Sequence, residues 1–390
     1  MESKNEETIK ILSFNILAQS LLSDSLKIPE EQIKNIPYLD IDYRINKIFQ
    51  IIDNLHPDIC LFQEFENNGK LKQKFKENNY SYEILFKKRP GNHKEGCAIA
   101  FDPTKFYLDY YCSLELRLEN ENNYNNKFNN YNNFNNYNNF NNYNNNTKKK
   151  KQAQTIYNKE NVAVFAFLKS YKTQFYYLII CSHLLFNCSR GDIKMGQIYQ
   201  IIQSALLFKD YYKNSKITTI FGADLNSTPD SAIYNYITSN SIDVEYLNKA
   251  NLSGQTRKKY ITDTSFAEIN YEWYKEIINT FPAFNDHIIT LKNANQKKKN
   301  NYYDYENNNG LILKNKLVMK SFYKEKNGKE PEITSLSASF KGTFDFLFYN
   351  TQLNLNINSV LNIPNYSWDL PDKDNPSDHL PLFVEFSIRN

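Results

Sequence analysis

Cysteine is scarce and unpaired in this chain: Cys60, Cys97, Cys112, Cys181 and Cys188 make an odd set with no C-x-x-C spacing. Nothing in that set suggests a disulfide framework or a zinc ribbon. Cys60, Cys97 and Cys181 fall inside apolar runs and read as small core residues, which favours a reducing compartment. Histidine is equally sparse, 5 in 390 residues, and none clusters with cysteine at ligand spacing, so a tight zinc site is not expected. Long apolar runs are missing too. No uninterrupted stretch approaches a membrane span, and Met1 to Lys10 carries acidic residues in place of the apolar centre of a secretory signal. The expectation is a soluble intracellular protein with no membrane partner, the cytoplasm being favoured over the nucleus. An excess of one charge is also absent. With 47 basic and 43 acidic residues the net charge is +4, so bulk charge does not coat nucleic acid and any such contact must be local. The lysine runs Lys148 to Lys151 and Lys297 to Lys299 sit among asparagines and read as solvated loops.

What is present is a chain long enough for one large α/β domain. Two segments stand apart from it. Residues 120–152 begin with an asparagine tract, Asn120 to Asn146, broken only by a few other residues, mostly tyrosine and phenylalanine. Residues 292–309 are rich in lysine and asparagine. Such tracts have too few aliphatic side chains to build a core, so both read as disordered insertions in a single domain spanning 1–390. Elsewhere apolar strand-like runs alternate with helix-like segments. Tyr43 to Leu55 places Ile45, Ile48, Phe49, Ile51, Ile52 and Leu55 largely on one helical face, and Met195 to Phe208 does the same with Ile198, Ile201, Ile202, Leu206 and Leu207. His56 sits at a helix end, where capping is its expected role. His93 and His287 lie in irregular polar surroundings and carry no functional signal. The mixture predicts an α/β sandwich, two sheets face to face with helices outside.

Several of the strand-like runs share one design: they end in a side chain capable of metal or proton chemistry. Ile9 to Phe14 ends in Asn15, Ile59 to Gln63 in Glu64, and Phe175 to Ser182 in His183. Thr218 to Gly222 leads into Asp224-Leu225-Asn226, and Ser227 to Ser231 is then a turn and helix-start signal. Phe344 to Phe348 holds one carboxylate, Asp345, in an otherwise apolar strand, where it needs a partner. Ser377-Asp378-His379 sets a carboxylate and an imidazole side by side on a turn before the run Leu382 to Phe386. Taken singly, the asparagines also suit turns, Glu64 a helix start, His183 a satisfied core position and Asp345 a structural hydrogen bond.

In this order the set Asn15, Glu64, His183, Asp224-Leu225-Asn226, Asp345 and Ser377-Asp378-His379 resembles the endonuclease/exonuclease/phosphatase superfamily, over nearly the whole chain apart from the two polar tracts. Leu12 to Gln19, Gly96 to Ile99 and Asn161 to Ala163 are similar to its CCR4-like branch. His183 to Asn187, continued by Arg190 to Lys194 and Gln197, is most similar to the Angel proteins, whereas Phe340-Lys341-Gly342 is more like the CCR4 deadenylases. Angel-type sequences usually carry a His and an Arg where this chain has Ser337 and Ser339, so those substrate contacts are not expected here.

The resemblance implies a four-layered, DNase I-like sandwich and a Mg²⁺-dependent phosphodiesterase, with Mn²⁺ able to stand in. Glu64 and Asp378 would hold the metal with Asn15. Asp224 would orient or deprotonate the attacking water, Asn226 and His183 would donate to the transition-state oxygens, and Asp345 would orient His379. The choice of base between Asp224 and His379 stays open. The implied partner is the 3′ end of a single-stranded RNA, as a poly(A) deadenylase or a 2′,3′-cyclic phosphatase; deadenylation or translation-factor partners are not specified. A small phosphoester substrate and a non-enzymatic binding module using the asparagine tract are the alternatives.

Overall fold

Alternating side chains let one strand serve two interfaces, and that is how this chain builds four layers. The computed structural model describes residues 6–116, 159–212, 216–243, 247, 252–255, 288–289, 312–337, 341–364, 366 and 368–389. The tracts 120–152 and 292–309, and His287, lie outside these. The main strands are β1 (Glu6–Asn15), β2 (Ile59–Glu66), β3 (Glu83–Lys88), β4 (Glu95–Phe101), β5 (Phe106–Glu115), β6 (Val162–Ser170), β7 (Tyr176–His183), β8 (Ile217–Asp224), β9 (Lys320–Ser321), β10 (Asp345–Asn350), β11 (Asn354–Val360) and β12 (Leu382–Arg389). The main helices are α1 (Ile41–Leu55), α2 (Lys70–Glu77), α3 (Gly191–Tyr211), α4 (Ala232–Thr238) and α5 (Phe322–Asn327).

One six-stranded sheet has the order β11-β12-β1-β2-β4-β3, the other β9-β10-β8-β7-β6-β5. Both are mixed: β1 with β2 and β7 with β8 run parallel, and the remaining neighbours antiparallel. In β2, Ile59 and Leu61 face the other sheet, while Cys60 and Phe62 face Ile45, Ile48 and Ile52 of α1. In β10, Leu347 faces the inter-sheet core, while Phe346 and Phe348 join Ile198, Ile201 and Ile202 of α3 in the outer one. The layers are therefore helix, sheet, sheet, helix.

The expected helices are present, with bounds set by caps. Asp40 accepts from the N–H groups of Asp42 and Tyr43 to start α1, and His56 ends it in left-handed backbone, its N–H bonded to Ile52 O. Ser231 starts α4 by accepting from the Tyr234 N–H. One assignment on α3 is corrected: Leu207 is exposed and Leu206 only half-buried. The helical period carries the buried stripe from Ile198, Ile201 and Ile202 to Ala205 and Phe208, which leaves those leucines on the flank. All five cysteines are free, four of them buried. Among the described residues no helix is long and apolar enough to cross a membrane.

Where β8 packs on β1 and β2 there is no room for a side chain at Gly222. A Cβ on Gly222 would stand 2.5 Å from Leu61 Cδ1 and 2.8 Å from Ser13 Oγ, so glycine there sets the separation just below the functional residues. Gly222→Ala is expected to cost about 1–3 kcal/mol through overpacking, seen as a lowered urea midpoint with unchanged slope.

Candidate active site

Strand register brings the polar strand ends to one level. His183 at the end of β7 lies opposite Asp224 at the end of the parallel β8, and Asp224 lies opposite Asp345 at the start of the antiparallel β10. The facing sheet contributes Asn15, the last residue of β1, which pairs with Gln63. Glu64 follows at a bulge, where the pairing of β2 with β4 shifts between Phe62 and Phe65 and its own φ is 54°. The bulge lets β2 continue to Glu66, past the bound expected from sequence, while turning the Glu64 side chain toward the cleft. Leu17 (φ 52°) and Asn226 (φ 46°) are also left-handed, so strained backbone surrounds the site.

The expected site residues are brought together, and hydrogen bonds link them. Asn15 Nδ2 donates to Glu64 Oε1 at 3.2 Å and Asp224 Oδ2 at 3.1 Å, and its amide oxygen accepts from the Leu17 N–H. Asn226 N–H donates to Asp224 Oδ1 at 2.9 Å, while its Nδ2 donates to Leu184 O and lies 2.9 Å from His183 Nε2. The lone carboxylate of β10 has its partner: Asp345 Oδ2 accepts from His379 Nδ1 at 2.8 Å. The other edge of that imidazole, Nε2, faces Asp224 Oδ2 at 3.7 Å. Asp378 Oδ2 accepts from the Ser25 hydroxyl at 2.6 Å, and the Ser377 hydroxyl donates to Asn15 O, tying the last loop to the end of β1.

Charge explains the protonation states. Burial opposes a charged imidazole at His379, but Asp345 and Asp224 together outweigh it and hold its pKa well above that of ordinary histidine. Burial raises the Glu64 pKa, and Asp378 raises it further against the pull of His183 and His379. Among the described residues, potential ligand atoms of Asp224, Asp345 and His379 lie within 4.8 Å of one another. An imidazolium already donating to Asp345 has no lone pair for a metal, so this trio is better described as a hydrogen-bonded charge chain. The other side of the cleft offers the carboxylates of Glu64 and Asp378, which raise each other's energy, and no thiolate. Such a hard-oxygen donor set fits a divalent cation of the Mg²⁺ kind.

One residue of the site was missed in the sequence. Arg44 is fully buried, and its guanidinium donates from Nε to Pro376 O, from Nη1 to Gln19 Oε1, and from Nη2 to Ile16 O and Leu17 O. It thereby joins the loop after Asn15 to the loop carrying Asp378 and His379. Burial lowers its pKa to about 10, with Asp378, Glu64 and Glu66 pulling the other way, so it stays charged at neutral pH. The available signal was an arginine on the apolar stripe of α1 beside Ile41, Ile45 and Ile48.

The chain matches the description "Endonuclease/Exonuclease/phosphatase family" over residues 12–379. It belongs to that family. As a family hydrolase it has relatives in both branches suggested by its motifs. It is 27% identical over 248 residues to protein angel of Drosophila melanogaster, covering 61% of this chain but only 58% of the fly protein. It is 25% identical over 402 residues to carbon catabolite repressor protein 4 homolog 3 of Arabidopsis thaliana, covering 97% of this chain and 75% of that protein. Among solved structures, ANGEL2, a 2′,3′-cyclic phosphatase, in complex with adenosine-2′,3′-vanadate, superposes with a TM-score of 0.71 at 21% identity, covering 98% of this chain and 96% of that one. The human Nocturnin catalytic domain gives 0.55 at 18% identity, covering 98% and 93%. These likenesses establish the DNase I-like fold of the family.

Arg44→Met would strip donors from several buried acceptors at once, at roughly 1–3 kcal/mol for each acceptor left unsatisfied. The expected loss of stability in urea is therefore about 3 kcal/mol or more. Arg44→Lys should recover only part of it, because one ammonium cannot reproduce the planar fork.

Proposed function

We propose that this hydrolase is a Mg²⁺-dependent phosphodiesterase acting on the 3′ end of single-stranded RNA, opening a terminal 2′,3′-cyclic phosphate. The observation that carries the reading is the segment resembling Angel proteins, which supports the cleft directly. Lys194 binds Asn226 O, Gln197 joins Leu185 N–H to Asn161, and Arg190 pairs with Asp192. A deadenylase is the second reading, favoured by Phe340-Lys341-Gly342; Phe340, like Ser339, lies outside the described residues.

Glu64 and Asp378 would hold Mg²⁺, with Asn15 beside them. When bound, that ion supplies positive charge to the phosphoryl oxygens. The amide oxygen of Asn15 accepts from the Leu17 N–H and keeps a second lone pair for the ion, while Nδ2 orients Glu64 and Asp224. His379 donates Nδ1–H to Asp345, which leaves Nε2–H to donate to phosphate or leaving oxygen. Asp224, held by Asn15 Nδ2 and the Asn226 N–H, is then the base that takes the proton of the attacking water. Asn226 and His183, whose Nδ2 and Nε2 lie 2.9 Å apart, would turn from that contact to donate to the oxygens that gain charge in the transition state.

Two 3′-labelled RNAs, one ending in an adenosine tract and one in a 2′,3′-cyclic phosphate, separate the readings. The expected result with Mg²⁺ is opening of the cyclic phosphate without shortening. Stepwise shortening of the first RNA would establish the deadenylase instead, and hydrolysis of free nucleotides in preference to either RNA would point to a small phosphoester.

Glu64→Ala is expected to abolish turnover and to weaken Mg²⁺ binding in calorimetry. His379→Ala should lower turnover by orders of magnitude while Mg²⁺ still binds. It should also lower stability, since Asp345 loses its buried partner. Unchanged rates in either variant would show that the roles are misassigned.

A further inference from the structure

Lys194 is a buried amine to which the hydrolytic scheme gives no chemical role. It lies in the first turns of α3 with its side chain enclosed, and its ammonium donates to Asn226 O and, at 3.1 Å, to Gln255 Oε1. Among the described residues no carboxylate stands within ion-pair distance of it; Asp224 and the Cys188 thiol are the nearest titratable groups acting on it. Burial lowers its pKa to about 7. A lysine buried without a carboxylate partner is a costly way to hold two neutral oxygens, and placing it under the Asp224 to Thr228 turn calls for a reason beyond packing.

The carbonyl it holds belongs to a residue in left-handed backbone. Asn226 has φ 46°, its N–H is committed to Asp224 Oδ1, and its Nδ2 reaches Leu184 O and the edge of His183. Lys194 thus holds the C-terminal side of a residue whose own N–H holds Asp224 and whose Nδ2 lies beside His183, so relaxation of the left-handed turn would disturb both contacts. Gln255 anchors the far side of the ammonium, and its neighbour Ser253 is tied to Cys188 O and to the Thr228 N–H, so the grip closes around the whole Asp224 to Thr228 turn.

We propose that Lys194 is a positioning residue of the hydrolytic site, holding the strained Asn226 peptide from below so that its side-chain amide stays aimed at the cleft beside His183. The inference rests on the hydrolytic site of the proposed function and not on the identity of the RNA end.

A double-mutant cycle tests it, with kcat measured on the RNA substrate and on bis-p-nitrophenyl phosphate, a generic phosphodiester whose turnover does not depend on RNA recognition. Lys194→Met is expected to lower kcat about a hundredfold with KM little changed, as a misplaced transition-state donor would. In the Asn226→Ala background the same change should cost no more than about twofold, because its route of action is already gone. Losses that multiply would overturn the proposal, as would wild-type kcat in Lys194→Met. Where the Met variant does not fold, Lys194→Gln, which keeps a neutral donor, takes its place in the cycle. Should the wild type turn over neither substrate, the side-chain amide resonance of Asn226 carries the test. It should move in the lysine variant, and an unmoved resonance would overturn the proposal.

Discussion

Compensation of buried charge is the constraint on which the active end of this sandwich depends. Glu64, Asp224, Asp345 and Asp378 converge with His183 and His379 among them, and Asp224 and Asp345 are almost wholly enclosed. Carboxylates taken out of water in such numbers are tolerable only where cations or donors meet each one. His379 answers Asp345, Asn15 bridges Glu64 and Asp224, and Arg44 lies behind Asp378 and Glu64. The remaining negative charge lies on the side where Glu64 and Asp378 would hold a divalent cation. The same imbalance that costs stability suits the cleft to the cation that the proposed function requires.

Precision comes from the rigid parts of the molecule. His183, Asp224 and Asp345 are fixed by adjacent ladders, so their spacing follows from backbone hydrogen bonds and not from loop conformation. Where the ladder alone would point a side chain the wrong way, the chain departs from regular geometry: the bulge at Glu64 and the left-handed Asn226 are both kept in place by tertiary contacts. Strain of this kind persists only where neighbours hold it. Asn15 Nδ2 and the Ala18 N–H hold the Glu64 carboxylate, Arg44 grips the left-handed Leu17 and the loop before Asp378, and Lys194 holds Asn226 O.

Chemistry and substrate have different structural carriers here. The charge chain and the hard-oxygen donors define a family hydrolase. The proposed substrate rests instead on motifs, which divide between the Angel-like stretch from His183 to Gln197 and the CCR4-like Phe340-Lys341-Gly342. The first of these packs into the layer behind Asn226, which is why it weighs more in the proposed reading.

Much was legible in sequence because the relevant signals are local. Apolar runs ending in Asn15, Glu64, His183 and Asp224 disclosed the strand ends, the asparagine tracts set themselves apart by composition, and a lone carboxylate among the aromatics of β10 announced a partner that proved to be His379. Other features could not be read because they exist only between segments distant in the chain. The register that sets Asp224 opposite both His183 and Asp345, the bulge that turns Glu64 inward, and the grip of Arg44 on loops more than three hundred residues apart all follow from how the sheets pair and stack. Periodicity reports which face of an element is apolar; it is silent on what a charged side chain meets once that face is covered. The sequence by itself therefore determined the layers and the candidate chemistry. Only the tertiary structure decided the upward shift of the His379 pKa, the orientation of Asn15 and the places of Arg44 and Lys194, because those depend on burial and on charges brought together through space.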